Sequence, residues 1–296
     1  MGIKTHRVGV MPPAGRYVIA VSGGVDSVVL LDMFARQASL TLASEYELVV
    51  AHFDHGIRKD SSQDAMFVAA LAKKYGYVFE SRREELGAGA SEDMARSRRY
   101  LFLRAVAKQH AARLVTAHHA DDCVETVAIN VVRGTGWRGL AVLDSDIIRP
   151  LLDMSKQEIL EYAQEHQLKW HEDSTNASDA YLRNRIRRKT TNLSDDSKRQ
   201  LLGLRAHQLA LKRQIDTEVR TLISDSGEYS RYFFTHIGDA TAIECLRYIA
   251  HARLTRPQLV QAQLAIKTAR PKGLYQAGGG VQFRFTSRNF VVELIK

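Results

Sequence analysis

The chain has 296 residues, of which 45% are hydrophobic and 25% charged, and this composition excludes a disordered, collagen-like or rod-like protein. Its apolar runs are much shorter than the roughly 18 residues of a membrane span, and residues 1–17 lack the apolar block of a secretory signal, so we expect a cytoplasmic protein outside the membrane. The net charge of +9 is uneven, −3 over residues 1–179 and +12 over residues 180–296, which favours a polyanionic partner such as RNA or DNA, although a solvated basic surface would give the same charge.

Apolar, β-branched runs alternate with helical patterns in the first half of the chain, which predicts a doubly wound α/β domain with a mainly parallel sheet. The predicted strands are Tyr17–Val21, Glu47–Phe53, Tyr77–Ser81, Arg113–Ala117 and Asp146–Arg149, and the predicted helices are Val25–Ala38, Ser61–Tyr75, Ser91–His110 and Asp121–Val132. Ligands of such sheets bind beyond the carboxyl ends of the strands, so the segments after Val21, Phe53 and Ala117 should share one crevice.

The second half of the chain predicts a long helix followed by a small α+β domain. Ser194 is a good N-cap, Asp195 and Asp196 suit the first turn of a helix, and apolar residues then recur at helical spacing for about eight turns. Further on we expect a helical region and a hairpin-like pair of strands, at Asp239–Lys267, Val281–Phe285 and Asn289–Leu294. The expected organisation is therefore a catalytic domain at residues 1–190, a connecting helix at 191–226 and a small basic domain at 227–296.

A hexapeptide with two glycines, Ser22-Gly23-Gly24-Val25-Asp26-Ser27, joins the first predicted strand to the first predicted helix. The glycines permit a tight turn with exposed N–H groups, the serines add hydroxyl donors, and the helix N-terminus adds positive potential, which together suit a polyphosphate. Asp26 at the mouth of this loop can hold a divalent cation such as magnesium. The segment matches neither G-x-x-x-x-G-K-[ST] nor G-x-G-x-x-G, and a turn that needs glycine only for its geometry is the structural alternative.

Acidic residues follow the fourth predicted strand. His118, Asp122 and Glu125 are spaced i, i+4 and i+7, which would place them on one helical face. The two carboxylates can hold a cationic amino-acid substrate or accept a proton from its amine. Two alternatives remain open, a purely structural role and a dinuclear metal site made of His118, His119, Asp121 and Asp122.

Two groups of arginines suit an anionic ligand. Arg96 and Arg99 lie one helical turn apart, and their guanidinium groups can stabilise charge that builds on an α-phosphate. A basic strip with an aromatic and an amide residue suits the phosphates and a splayed base of single-stranded RNA, and it contains Tyr181, Arg183, Asn184, Arg185, Arg187 and Arg188. Solvated helix surface is the alternative explanation for both groups.

The hexapeptide resembles the pyrophosphate loop of the N-type ATP pyrophosphatases, and further segments resemble the tRNA(Ile)-lysidine synthetase family. These segments are His52–Arg58, Ala95–Tyr100, Thr116–Thr126, Arg149–Leu152 and Glu172–Asn176 with Arg183–Arg187. The resemblance covers about residues 17–190. The tail resembles the family's smaller RNA-binding domain only weakly, and longer members carry an additional C-terminal domain.

The resemblance implies an adenine nucleotide alpha hydrolase-like fold and a ligase that uses ATP and Mg²⁺. Such a ligase joins L-lysine to the 2-position of the wobble cytidine of tRNA(Ile) with a CAU anticodon, through an adenylated base, and yields lysidine, AMP and pyrophosphate. The implied ATP site comprises Ser22–Ser27 with magnesium on Asp26, bordered by His52, Asp54, His55 and His118. The implied lysine and tRNA contacts are Asp122, Glu125, Arg183, Asn184, Arg187 and Arg188, and Arg96 and Arg99 act on the α-phosphate.

Two other functions are compatible with the same pattern, a tRNA thiolase of the same fold and a non-catalytic RNA-binding protein. Cys123 and Cys245 are the two cysteines of the chain and form no C-x-x-C pair, which disfavours thiolation, a disulfide framework and an iron–sulfur cluster. The intact loop at Ser22–Ser27 disfavours the non-catalytic RNA-binding protein. The sequence leaves open a homodimer and the way in which tRNA(Ile) is told from tRNA(Met).

Overall fold

The computed structural model describes residues 9–40, 46–56, 61–87, 89–171, 186, 190–223 and 226–295. The chain divides into two compact units, Met1–Ala206 and His207–Lys296. Within the described residues, no helix has the length and the apolar composition that spanning a membrane requires.

The first unit is built on a parallel sheet of order β3-β2-β1-β4, which confirms the predicted doubly wound α/β fold. Its strands are β1 (Gly15–Ala20), β2 (Tyr46–Asp54), β3 (Val78–Arg83) and β4 (Arg113–Val115). The fifth predicted strand, Asp146–Arg149, was wrong, because the described chain forms only a single parallel bridge there, between Val115 and Ile148. Pro150 offers no N–H to continue a ladder, and the Arg149 side chain folds back onto the carbonyl oxygens of Leu143 and Ile147.

Helices cover both faces of this sheet because successive strand residues point to opposite sides. Tyr17 and Ile19 of β1 pack into the hydrophobic cluster that contains Phe34, while Val18 packs into the cluster that contains Phe102. The helices are α1 (Val25–Leu40), α2 (Ser61–Tyr75), α3 (Glu92–Gln109), α4 (Ala120–Val132) and α5 (Lys156–Glu165). The first four agree with the predicted helices to within two residues at each end, whereas α5 was not predicted.

A long helix, α6 (Asp195–Leu222), begins where the sequence predicted it, because the Ser194 hydroxyl accepts a hydrogen bond from the backbone N–H of Ser197 at 3.2 Å. The boundary between the two compact units falls within α6, at Ala206 and His207.

The second unit combines three further helices with an antiparallel sheet of order β5-β8-β7-β6. Its elements are β5 (Glu228–Ser230), α7 (Arg231–His236), α8 (Asp239–Ile249), α9 (Arg256–Thr268), β6 (Leu274–Gly278), β7 (Val281–Phe285) and β8 (Asn289–Leu294). The last two strands have the predicted bounds, while β5, β6 and α7 were not predicted. The predicted helical region divides in two because His251 and Ala252 adopt positive φ angles of 50° and 57°. Buried aromatic residues form the core, among them Phe234, Phe283, Phe285 and Phe290.

Candidate active site

The loop after β1 has backbone features that a phosphate site needs. Gly23 adopts a φ angle of 98°, which side chains of L-residues rarely allow, and the N–H groups of the first turn of α1 have no acceptor within the helix. Ser22 is exposed and Asp26 is partly exposed. The Ser27 hydroxyl differs from the prediction, because it is buried, accepts from the Ser22 N–H at 3.1 Å and donates to the Gly24 carbonyl oxygen at 2.9 Å. Ser27 therefore shapes the loop from inside.

Residues of α2 and of the segment after α5 support the loop at Gly23. The backbone N–H of His171 donates to the Gly23 carbonyl oxygen at 3.0 Å, and the His171 ring stacks on Phe67 with 4.4 Å between ring centroids. Nδ1 of His171 lies 2.8 Å from an Asp64 oxygen. These contacts support the main chain of the loop at Gly23.

The segment after β2 supports the same loop from the neighbouring strand. His52 is buried, and its Nδ1 lies 2.8 Å from the carbonyl oxygen of Val21. Asp54 is also buried, which acts to raise its pKa, but hydrogen bonds from Gly56 and Ser61 and the charge of Arg83 outweigh burial and lower that pKa overall. The position of His52 and of the partly buried His55 beside bound ATP stays a prediction.

The N-terminus of α4 brings the acidic residues to the phosphate loop. His119 is the N-cap of α4, and its N–H donates to Oδ2 of Asp122 at 3.1 Å. The buried His119 ring lies near three carboxylates, with Nε2 at 3.4 Å from Oδ2 of Asp122 and 3.9 Å from Oδ2 of Asp26, and Nδ1 at 3.8 Å from Oδ2 of Asp121. Glu125 is buried one turn further along α4. His118 precedes the N-cap, so its predicted place on the helical face was wrong.

His118 nevertheless belongs to the same group of residues. Thr116 Oγ1 lies 2.9 Å from its Nδ1 and orients the ring. Burial lowers the pKa of His118 to about 3; Asp122 acts against this shift, and the positive charges of Arg149, Arg96 and Arg99 add to it. His118 is therefore neutral at neutral pH.

Two of the arginines around His118 were predicted, and Arg149 was not predicted as a site residue. Arg96 and Arg99 both lie over the ring of Tyr100, at 4.9 Å and 5.7 Å from its centroid. Arg149 lies close enough to Tyr100 and Arg96 to interact with both electrostatically, so the three guanidinium groups lie near one aromatic side chain. A cationic cluster of this kind suits an anion at the same crevice.

The N-terminus of α5 adds Lys156, which the sequence pattern did not single out. Its ammonium Nζ lies 2.5 Å from Oδ1 of Asp26, and its backbone N–H donates to Asp121 at 2.7 Å. Lys198 donates to the other Asp121 oxygen at 2.8 Å. Burial acts to raise the pKa of Asp121, but these two donors lower it overall. The capping box of Ser155 and Glu158 was the sequence signal that could have predicted α5.

The residues present fit magnesium better than a dinuclear centre. In the described part of the chain, no group of three or more His, Cys, Asp or Glu residues is arranged to hold a metal ion, so the alternative at His118, His119, Asp121 and Asp122 is not supported. Magnesium usually takes one or two protein carboxylates and completes its octahedron with phosphate oxygens and water. Asp26, partly exposed at the mouth of the loop, meets this requirement.

The predicted RNA contacts Arg183, Asn184, Arg187 and Arg188 lie outside the described residues, and their role stays a prediction.

The comparison with protein families agrees with this geometry. Residues 4–194 match the model of the PP-loop domain, and the chain belongs to this family. Its curated relatives include the tRNA(Ile)-lysidine synthase of Geobacter sulfurreducens, 41% identical over 192 residues that cover 60% of this chain and 40% of the relative. The enzyme of the same name from Thermus thermophilus is 38% identical over 185 residues, which cover 60% of this chain and 35% of the relative. The resemblance to tRNA(Ile)-lysidine synthetases is confirmed, over about two fifths of the relatives' length.

A solved structure shares the fold. The U34-tRNA thiolase NcsA from Methanococcus maripaludis, determined with its [4Fe-4S] cluster, superposes with a TM-score of 0.56 over 66% of this chain and 71% of that chain. The two sequences are 18% identical, so the likeness concerns the fold alone.

Proposed function

We propose that the chain is an ATP-dependent ligase that joins L-lysine to the 2-position of the wobble cytidine of tRNA(Ile) with a CAU anticodon. The observation that carries this proposal is the position of His119, whose Nε2 lies 3.9 Å from Asp26 and 3.4 Å from Asp122. The loop suited to a polyphosphate and the carboxylates suited to an amine are therefore neighbours. A ligase that activates one substrate with ATP and presents an amine to it needs this proximity.

The nucleotide half of the reaction rests on the loop from Ser22 to Ser27. The free N–H groups at the start of α1 and the positive end of that helix bind the leaving pyrophosphate. Asp26 would hold magnesium, and bound magnesium would neutralise charge on the phosphate oxygens. Arg96 and Arg99 stabilise the charge that builds on the α-phosphate as it is attacked.

The chemistry proceeds in two displacements. The 2-carbonyl oxygen of cytidine attacks the α-phosphorus of ATP, a new oxygen–phosphorus bond forms, and pyrophosphate leaves. The ε-amine of lysine then attacks carbon 2 of the adenylated base, and AMP leaves with the oxygen that it activated. The amine loses one proton in this second step, and adenylation has made the oxygen a good leaving group.

The charged residues around the lysine amine have opposing effects on its protonation. Asp122 and Glu125 hold the lysine ammonium by charge, whereas the attack requires the neutral amine. The positive charges of Arg96, Arg99 and Arg149 favour loss of the proton, because they disfavour a further cation nearby. The neutral His118 can accept a hydrogen bond without adding another charge to the cluster.

The basic part of the chain supplies the affinity for RNA in this proposal. Residues 180–296 carry a net charge of +12, and each phosphate that they neutralise releases counterions. The domain at residues 227–296 would bind tRNA, with catalysis at residues 1–190 and a connecting helix at 191–226, and the protein would act in the cytoplasm.

The decisive experiment incubates the full chain with ATP, magnesium, labelled lysine and a panel of tRNA transcripts. We expect label in tRNA(Ile) with a CAU anticodon, and pyrophosphate release that requires both the tRNA and lysine. A matched transcript with uridine in place of the wobble cytidine should accept no label. Absence of label from every transcript, with folded protein, would refute the substrate assignment.

Thiolation of the tRNA is the weaker alternative because of the cysteines. Cys123 lies in the first unit and Cys245 in the second, and burial raises the pKa of each thiol to about 11. Both thiols are therefore protonated and poor nucleophiles at neutral pH. A variant with both cysteines replaced by alanine should keep its activity if the proposed ligation is right.

A further inference from the structure

Lys156 forms an exposed ion pair with the carboxylate of the phosphate loop. Its Nζ lies 2.5 Å from Oδ1 of Asp26, and the side chains are 42% and 31% exposed, respectively. Exposed ion pairs contribute little to stability because water screens them. A more strongly charged partner that arrives from solvent can therefore separate the two groups.

The backbone of Lys156 is held in place, so that only its side chain has room to change partners. The backbone N–H of Lys156 donates to Oδ2 of Asp121 at 2.7 Å. Just before α5, the carbonyl oxygen of Met154 accepts a hydrogen bond from the N–H of Ala120 at 2.9 Å. The start of α5 is thus attached to the start of α4, beside the phosphate loop.

The fold does not depend on this ion pair to join α1 to α5. The hydroxyl of Tyr162, in the middle of α5, donates to Asp32 of α1 at 2.9 Å, and Asp32 is buried. A buried hydrogen bond to a carboxylate is a stronger link than an exposed ion pair. The contact between Lys156 and Asp26 is therefore better explained by the site than by the packing of the helices.

We propose that Lys156 is a phosphate-binding residue that exchanges partners when the nucleotide arrives. In the ligand-free protein its ammonium neutralises Asp26, and in the complex it moves to a phosphate oxygen of ATP. Asp26 then becomes available to magnesium, which would otherwise compete with the ammonium for the same oxygen. This inference rests on the proposed use of ATP, and its physical basis is that phosphates carry more charge than one carboxylate.

Two binding measurements on the full chain test the exchange. Mn²⁺ alone, followed by electron paramagnetic resonance, reports on Asp26, and pyrophosphate with Mg²⁺, followed by calorimetry, reports on the phosphate site. In Lys156→Met we expect pyrophosphate affinity to fall about tenfold or more, because a charge-assisted hydrogen bond is lost. Mn²⁺ affinity should rise, because Asp26 has lost its competitor. Lys156→Arg should restore part of the pyrophosphate affinity.

Lys267→Met is the matched control, because it removes an ammonium that pairs with Asp239 of the second unit instead of Asp26. It should leave both affinities unchanged. A loss of both affinities together in Lys156→Met, or no change in either, would overturn the exchange.

The wild-type protein separates the two proposals. If it binds no pyrophosphate with Mg²⁺, the proposed use of ATP fails together with the role of Lys156. If it binds pyrophosphate and Lys156→Met binds it equally well, only the role of Lys156 fails. The tRNA-labelling experiment tests the ligation independently of both results.

Discussion

Two carboxylates of α1 have opposite environments although they are less than two turns apart. Asp32 is 3% exposed and accepts hydrogen bonds from Tyr75 at 2.7 Å, Tyr162 at 2.9 Å and Arg36 at 2.7 Å. Burial acts to raise the pKa of Asp32, but these three donors lower it overall. The Asp26 side chain is 31% exposed, and it contacts the partly exposed Lys156 and, at a greater distance, the ring of His119.

The difference shows that the fold uses the buried Asp32 for stability and leaves the partly exposed Asp26 available to bind a ligand. A buried carboxylate whose acceptor positions are filled by protein donors contributes to stability and has little capacity for a ligand. A partly exposed carboxylate at a helix N-terminus contributes little to stability and can take a cation from solvent. Two aspartates on one helix thus have different roles: Asp32 stabilises the packing of α1, and Asp26 can bind a cation.

The largest expected effect is on activity at the exposed carboxylate. Asp26→Asn should lower the rate of lysine incorporation into tRNA by about 10²–10³-fold, because an electrostatic contact to the reacting phosphates is lost. Its melting temperature should stay close to that of the wild type, since only an exposed ion pair is removed. A fully active Asp26→Asn variant would contradict the binding role that distinguishes Asp26 from Asp32.

The same substitution at the buried carboxylate should give the reverse result. Asp32→Asn is expected to lower the free energy of unfolding by about 2–3 kcal/mol, because donors around a buried group lose their charged acceptor. Urea denaturation measures this change. Activity per folded molecule should remain at the wild-type level, and a selective loss of activity would show that Asp32 also serves the site.

The pH dependence of stability should distinguish the buried carboxylate further. Because the folded-state pKa of Asp32 lies below its ordinary value of 3.8, its contribution is complete above that value and disappears as the pH falls through the folded-state pKa. The difference in unfolding free energy between wild type and Asp32→Asn should therefore be constant from pH 7 to about pH 5 and shrink below about pH 4. A difference that grows on acidification would contradict the lowered pKa.

The smallest effect is expected for a single donor to Asp32. Tyr162→Phe should cost about 1 kcal/mol of unfolding free energy, because Tyr75 and Arg36 still donate to the carboxylate. Urea denaturation of Tyr75→Phe provides the matched comparison and should give a similar value. A loss as large as that of Asp32→Asn would mean that the network depends on Tyr162 alone.

Local signals in the sequence predicted the architecture and the loop. Glycines, hydroxyls and a following apolar helix identified Ser22–Ser27, and β-branched runs identified the strands of the first sheet. The failures have local causes as well. Asp146–Arg149 has a strand-like composition but leads into a proline, and three short elements, β5, α7 and β6, contain too few residues for a clear period.

The contacts that complete the candidate site could not be predicted from the spacing of residues in the sequence. Lys156 meets Asp26 across 130 positions of the chain, and Arg149 meets Tyr100 across 49. The packing of α1 beside α5 brings Lys156 to Asp26, whereas Arg149 lies outside the helices and reaches Tyr100 on α3. His119 could be predicted as one residue of an acidic motif, but its place between Asp26 and Asp122 depends on which residue caps α4.

The two buried cysteines give the protein one built-in reporter in each compact unit. Cys123 and Cys245 are fully buried, and burial raises the pKa of each thiol to about 11, so both are protonated at neutral pH. Alkylating reagents can therefore reach them only when the surrounding unit opens. The labelling rates of the two thiols, read by mass spectrometry of the unmodified chain, would give the opening equilibrium of each unit separately and show which opens first on heating.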